Sequence, residues 1–375
     1  MDGLWGRNNR RCDTSCRNWT WSRKNNLMQH IQSSGILIKD LSIIVVNWNS
    51  VVFLQKCLSS VQSSVAGISY EIIVVDNASY DGSREIVKKE FPSVVYIQAP
   101  RNEGFAKANN LGFQVSTGRN ILFLNPDTEV VGPAIRTMLG TLDSDKKAGA
   151  AGAKLLNSDG SVQTSCIQAF PTILNQILDF DLLRRMFPRA SMWGCASLFT
   201  ALPGPFEVEV ISGACLMVKR EVLEAVGLFD PRYFMYSEDV DLCFRIRRGG
   251  WKNYFVETAI VTHHGGQSSS KASESEFTAV MLRESRYIYM SLWLGRLYAM
   301  GYRISTILVA LARIAAVALF VTMTLGLADT VSVERVVSKW YRVLRWAFGM
   351  EAWVREVTLT KHLFDEHTDP RPLRN

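Results

Sequence analysis

The sequence predicts an α/β protein built on a mostly parallel central sheet with flanking helices. Three observations carry that expectation. Short apolar, β-branched runs alternate with segments of helical spacing from residue 41 onward, and strands joined in this way through helical crossovers lie parallel. Polar residues stand at the ends of these runs, where open α/β sheets gather their ligands. The first run passes straight into NWNSVVFL, which has no glycine. That excludes the GxGxxG dinucleotide turn, and the Walker lysine loop is missing as well.

Taken in order, LSIIVVNWN (41–49) reads as a buried strand ended by asparagine. Residues 53–64 follow with Phe53, Leu54, Cys57, Leu58 and Val61 at helical spacing. YEIIVVDNAS (70–79) is a second strand, 82–91 a helix, 94–100 a third strand and 104–116 a helix. NILFLNPDTEV (120–130) is expected to hold a fourth strand ending in Asn-Pro-Asp. Asn47, Asp76 and Asp127 thus come to one edge of the sheet. Residues 165–206 are irregular and rich in Phe, Trp, Leu and Pro; an acceptor-facing loop and a core extension are both open readings. A second block follows: strand, glycine, strand and helix over 208–226, a helix over 237–250, and a strand over 255–269 leading through His263 into a glycine-rich loop.

From 278 the character changes. Residues 278–300 read as an amphipathic helix with Arg283, Arg286 and Arg296. The run 304–328 is apolar apart from Arg313 and exceeds the roughly 20 residues needed to span a bilayer. Residues 333–346 set Val, Trp and Leu against Arg335, Lys339, Arg342 and Arg345, a basic amphipathic pattern. Basic residues flank the apolar run on both sides, so charge gives no orientation. Helices lying in or dipping into the cytoplasmic leaflet are preferred over a simple span; a buried extension or an oligomer interface is the alternative. Three regions are expected: a basic tail (1–39), a catalytic domain (40–277) and a membrane-associated helical region (278–375).

Composition narrows the function classes. The 375 residues are 47% apolar and 21% charged, which excludes a largely disordered chain and a small disulfide scaffold. The net charge is +7, but Arg7, Arg10, Arg11, Arg17, Arg23, Lys24 and Lys39 lie in the first forty residues against Asp2, Asp13 and Asp40. The remainder is nearly neutral, so no nucleic-acid partner is expected. The tail could touch anionic lipid or simply be solvated. Seven cysteines are scattered without a CxxC pair or a zinc spacing. Reduced thiols in a cytosolic setting are expected, Cys12 and Cys16 being too few to close a metal site. Residues 1–35 lack the continuous apolar core of a secretory signal.

Each candidate for chemistry has an ordinary alternative. Asp127 could hold a divalent cation against a diphosphate, or cap a turn after proline. Asp76 could accept a hydrogen bond from a ligand or cap its own turn. Asp239 could be a general base, or a carboxylate favoured by the helix dipole. His263 or His264 could supply a nitrogen ligand or be satisfied loop histidines.

Their order is more specific. SIIVVNWN, EIIVVDNASYDGS, RNEGFAKANNLG, LFLNPDTEV, ISGACLMVKREVLEAVGLFD, FMYSEDVDLCFRIRRGGW and VTHHGGQSS together resemble the inverting glycosyltransferases of family 2, which have the GT-A fold of nucleotide-diphospho-sugar transferases. The likeness covers about 41–300 and is greatest to the rhamnosyltransferase-like branch that builds O-antigen, exopolysaccharide and mycobacterial-type linkers. It implies that Asp76 contacts the nucleotide base with Asn47 and Asn49 nearby. Asn102, Gly104, Asn109 and Asn125 join them on the donor. Asp127 binds Mg²⁺ or Mn²⁺, and His263 of the HxGGxS pattern reaches the metal or diphosphate. Asp239 of SEDVD is the catalytic base, with Glu238 and Asp241 beside it. Two departures stand out: Asn125 replaces the first acid of the family's DxD, and Asn109 stands where an arginine is frequent. The rhamnosyltransferase-like branch shares both.

The implied activity is transfer of a sugar, foremost L-rhamnose from dTDP-L-rhamnose, to a hydroxyl of a lipid-linked or polysaccharide acceptor at the cytoplasmic face of the inner membrane. UDP- and GDP-sugars are alternative donors. A sugar nucleotidyltransferase and a non-catalytic assembly subunit are alternative functions, and homo-oligomerisation is left open.

Overall fold

The computed structural model describes residues 38–200, 204–265, 272–324 and 330–354. Nearly all of the basic tail, with Cys12 and Cys16, and the end of the HxGGxS pattern lie outside the described residues. Lys39–Asn375 forms one compact unit.

The first half follows the expected alternation. β1 (Leu41–Asn47), β2 (Tyr70–Asp76), β3 (Val95–Gln98) and β4 (Asn120–Leu124) are strands. They are linked by α1 (Val51–Ser64), α2 (Ser83–Glu90) and α3 (Phe105–Val115). β1 pairs in parallel with β2 and β4, and β2 with β3. β1 is buried on both faces, as a strand covered by helices on either side must be.

The fourth strand stops directly before Asn-Pro-Asp, and the rest of the expected span is a separate strand. Asn125-Pro126-Asp127 divides the two, and β5 (Thr128–Val131) pairs antiparallel with a strand at the far edge of the sheet. Pro126 lacks the N–H that a continuing ladder needs. After α4 (Ala134–Ser144) comes β6 (Ala148–Leu156), a buried strand of sequence AGAAGAKLL. Its small residues leave room for neighbours: a Cβ on Gly152 would lie 2.0 Å from Ile211 Cγ2.

Residues 165–206 hold β7 (Ile167–Gln168) and the short helices α5 (Ile173–Ile177) and α6 (Asp181–Met186). There follow β8 (Pro205–Val208), β9 (Val210–Ile211), β10 (Cys215–Lys219), α7 (Arg220–Val226), α8 (Glu238–Arg248) and β11 (Lys252–His263). The main sheet has nine strands in the order β3-β2-β1-β4-β10-β6-β11-β5, with β8 on β11. Its first half is parallel. β10 runs antiparallel to both β4 and β6, so the second half is mixed. The described cysteines, Cys57, Cys166, Cys195, Cys215 and Cys243, are free and buried.

The C-terminal helices are α9 (Ala272–Trp293), α10 (Arg296–Met323) and α11 (Thr330–Ala347). The break between α9 and α10 falls at Gly295, whose φ of +97° a side chain would disfavour. These helices share the core of the sheet domain through Val280, Tyr289, Ala299, Tyr302 and Trp346. Trp293 Nε1 also donates to Asp241 Oδ1 at 2.7 Å. α10 is long and apolar enough to cross a membrane, with a mean hydropathy of 2.4 over an 18-residue stretch that is only 11% buried. Ala299, Tyr302, Thr306 and Ala310 form its inner stripe, while Ile304, Leu308, Leu311, Leu319 and Phe320 face outward.

Candidate active site

The site is assembled along the sheet edge where β1, β2 and β4 end. Asn47, Asp76 and Gln98 are register partners across β1, β2 and β3, which puts their side chains side by side. Asn47 Nδ2 donates to Asp76 Oδ2 at 2.8 Å and to Ser83 Oγ at 2.9 Å. Asp76 Oδ1 accepts from the Ser79 amide and from Gln98 Nε2, both at 2.7 Å. Burial opposes the charge on Asp76, but the Ser79 amide and the Asn47 side chain outweigh it, and the carboxyl lies below its ordinary range. A carboxylate has about four acceptor directions, so little of Asp76 is left for a ligand. Asn49 sits with φ +50°, tolerable for asparagine. It closes the loop by accepting from the Tyr80 amide.

The RNEG segment ties this side to the catalytic side. Asn102 Oδ1 accepts from the Gly104 amide at 3.0 Å, and Asn77 Nδ2 donates to Gly104 O. Gly104 has φ +83°, and a Cβ there would lie 2.4 Å from Phe234 O. Glycine is therefore required for the backbone contact with the segment that enters α8. Asn109 is buried on α3 and donates to Phe105 O, while its Oδ1 has no partner among the described residues.

Beyond β4, Asn125 donates its backbone N–H to Ala214 O, tying the Asn-Pro-Asp turn to the start of β10. His263 Nε2 lies 3.3 Å from Asp127 Oδ1 and 3.4 Å from Asn125 Nδ2. Behind the ring, Gln163 Nε2 donates to His263 O, so its Oε1 is the atom 2.9 Å from Nδ1. With that amide orientation Nδ1 donates to Gln163 and Nε2 is turned toward Asp127. A carboxylate oxygen beside a histidine nitrogen can share a cation, and a histidine ligand oriented through its other nitrogen is the usual arrangement of metal sites. Among the described residues no third His, Cys, Asp or Glu joins them. The pair therefore fits a hard cation that keeps waters and substrate phosphates as its other ligands. His264 turns away to Glu129 and Ser158.

Asp239 opens α8. Its Oδ2 accepts from the Gly213 amide at 2.8 Å and its Oδ1 from the Val240 amide at 2.8 Å. Burial raises its pKa, against these bonds. Glu238, only 6% exposed, is raised well above the carboxylate range, first by burial and then by the charge of Asp239, and its Oε2 has no partner. With two amide donors and the helix N-terminus, Asp239 is the member better able to carry the charge, while burial and the Asp239 charge favour the protonated form of Glu238. Tyr236 and Ser237, immediately before, both have positive φ, at +69° and +61°. Such strain concentrates where geometry matters for function. Asp241 is different: it is bonded to Arg245 and Trp293 and joins α8 to α9.

The edge therefore brings Asn47 and Asp76, Asn125, Asp127 and His263, and Asp239 along one line of contacts. Gln163, Gly213, Asn77, Ser79 and Gln98 support it without having been singled out in the sequence. Gly213 stood within the quoted ISGACLMV stretch; no local signal marks Gln163.

The family model for glycosyl transferase family 2 matches residues 42–227, and that for glycosyl transferase family group 2 matches 182–354. The chain belongs to glycosyl transferase family 2. It is 29% identical over 263 residues to the N-acetylglucosaminyl-diphospho-decaprenol L-rhamnosyltransferase of Mycobacterium tuberculosis, covering 67% of this chain and 84% of the relative. It is 23% identical over 255 residues to a rhamnosyltransferase of Escherichia coli K12, covering 66% and 91%. Among solved structures, a mannosyltransferase from Pyrobaculum calidifontis in complex with GDP-Man and Mn²⁺ superimposes with a TM-score of 0.47 at 16% identity, covering 88% of this chain and 89% of that one.

Proposed function

We propose that the chain is an inverting glycosyltransferase that moves L-rhamnose from dTDP-L-rhamnose to a hydroxyl of a lipid-linked acceptor at the cytoplasmic face of the inner membrane. The observation that carries the mechanism is Asp239: a carboxylate made more basic by burial, aimed by the Gly213 amide at the sheet edge. A base of raised pKa removes a hydroxyl proton more readily than an ordinary aspartate. Asp239 takes that proton as the acceptor oxygen bonds to the anomeric carbon. The bond from that carbon to the nucleoside diphosphate breaks on the opposite face, and the configuration inverts. Neutral Glu238 adds no second negative charge beside the base.

Asp127 and His263 would hold Mg²⁺ or Mn²⁺, whose charge offsets that developing on the leaving diphosphate. Asn47, Asn49 and Asp76 line the nucleotide end, with Asn102, Gly104 and Asn109 behind them. The lipid-linked acceptor is supported by the relative that acts on a diphospho-decaprenol and by the outward apolar face of α10. Rhamnose is supported by the two rhamnosyltransferase relatives.

The test is a thermal-shift screen of the full chain against dTDP-, UDP- and GDP-sugars with Mg²⁺, since a ligand of the folded state raises the melting point. dTDP-L-rhamnose should give the largest shift and be consumed when lipid acceptor is added. A larger shift and turnover with a UDP- or GDP-sugar would replace the donor. Binding without hydrolysis or transfer of any of them would make the chain a scaffold.

A further inference from the structure

A second polar recess lies away from the sheet edge, enclosed by α9, α10, α11 and the segment around α5. It is a cavity of about 590 Å³, within the roughly 300–1,000 Å³ of small-molecule sites. Arg283, Arg286, Arg313 and Lys339 line it, from three different helices, with Trp340 and a single carboxylate, Asp179. That carboxylate already pairs with Arg184 at 2.7 Å. Arg283 and Arg286 form no ion pair with a described carboxylate. Burial pushes the Arg283 guanidinium down to about 10, and the nearby Arg286 and Arg313 charges push the same way. Arg283 and Arg313 lie over the Trp340 ring, at 4.9 and 4.4 Å from its centroid, which fixes two guanidinium planes in the recess. Gathering like charges in a half-buried recess is unfavourable unless an anion joins them.

Two further observations say which anion. The helix that supplies Tyr302, Thr306 and Arg313 to the cavity carries Ile304, Leu308 and Leu311 on its exposed side, so the recess opens beside an apolar face fit for acyl or prenyl chains. Thr278, also in the cavity wall, has its hydroxyl 3.3 Å from that of Tyr236, three residues before the proposed base. That hydrogen bond ties the wall of the recess to the positive-φ segment that leads into Asp239.

We infer that this recess binds the diphosphate of a prenyl-diphosphate-linked acceptor, with the prenyl chain leaving along α10 and the sugar end directed toward Asp239. The inference rests on the proposed transfer reaction for its sugar end, while the anion and lipid chemistry stands on the recess alone. Guanidinium groups suit phosphate oxygens through paired N–H donors.

The test uses the full chain in detergent and three probes: farnesyl diphosphate, inorganic diphosphate and farnesol, with binding followed by calorimetry. Farnesyl diphosphate should bind about tenfold or more tightly than either partial probe, because only it meets both cations and apolar surface. Arg286→Gln combined with Lys339→Gln should weaken it by about tenfold or more, while dTDP binding stays within about twofold. If the double variant fails to fold, as shown by loss of dTDP stabilisation, Arg286→Gln alone serves, with a smaller loss in the same direction. Equal binding of farnesyl diphosphate by wild type and the folded variant would overturn the inference. So would inorganic diphosphate matching farnesyl diphosphate, which would mean an anion site without a lipid, or farnesol matching it, which would mean an apolar site without an anion. Failure of every nucleotide sugar to bind, with farnesyl diphosphate still bound, would remove the transfer reaction and leave the recess standing.

Discussion

The nucleotide end of the cleft and the base end differ in the direction their surroundings push the acids: the Asp76 carboxyl is lowered, while Asp239 and Glu238 are raised by burial. Around Asp76 both carboxylate oxygens are hydrogen-bonded, by the register partners Asn47 and Gln98 and by the Ser79 amide of the following loop, although Asn47 Oδ1 is itself buried without a partner. Around Asp239 a neighbouring carboxyl is buried without a partner on Oε2, and two consecutive residues hold left-handed conformations. One end is stabilised by its own hydrogen bonds and holds an ionised acid. The other spends folding stability to keep one acid neutral and the next one basic. This is the pattern expected when binding needs a rigid frame and catalysis needs displaced pKa values.

The sharpest break of that contrast is Asp239→Asn. It keeps the shape and removes the base, and turnover should fall by about 10²–10⁴ with the dTDP-sugar melting shift unchanged. Turnover near wild type would take the base role from Asp239. Next comes removal of the cation. EDTA should lower turnover by about 10² or more, several kcal/mol of charge stabilisation, and Mg²⁺ or Mn²⁺ should restore it. His263→Ala should weaken Mn²⁺ binding read by electron paramagnetic resonance, independently of activity. Unchanged Mn²⁺ affinity would leave Asp127 and His263 as hydrogen-bonding residues only.

A third change tests the link between the two ends. Gly104→Ala puts a methyl against Phe234 O at a positive φ, so it should cost about 1–3 kcal/mol in urea unfolding and slow transfer. A neutral outcome would mean that the backbone contact is not required.

The smallest effect is on stability. The raised pKa of Glu238 means that the folded state holds a proton that the unfolded state loses above about 4.3. Folding stability therefore falls as pH rises from there toward the raised value. Glu238→Gln should remove this slope, giving no gain near pH 4 and a gain at pH 7 of about 1.4 kcal/mol for each unit of displacement. A gain independent of pH would show that Glu238 is ionised in the fold.

Much of the fold was legible because its signals are local. β-branched runs ended by Asn47 and Asp76 read as buried strands, and helical spacing identified α1 and α8. Asp239 was visible at the head of its helix. β6 was not, because alanine and glycine carry little strand propensity. AGAAGAKLL becomes a central strand only because Ile211, Ile246 and Trp251 leave room for nothing larger at Gly149 and Gly152. The division at Pro126 was visible, but the far-edge pairing of β5 with β11 was not.

The amino-acid order thus determined which residues end strands, where backbone donors are missing and which acids begin a helix, since each depends on neighbours a few positions away. Tertiary structure alone decided that Gln163 orients His263 from 100 residues away. It alone set a cationic recess among three C-terminal helices and buried Glu238 beside Asp239, where a second charge is disfavoured. Those outcomes depend on distance and desolvation between groups remote in the chain, and no local spacing encodes either.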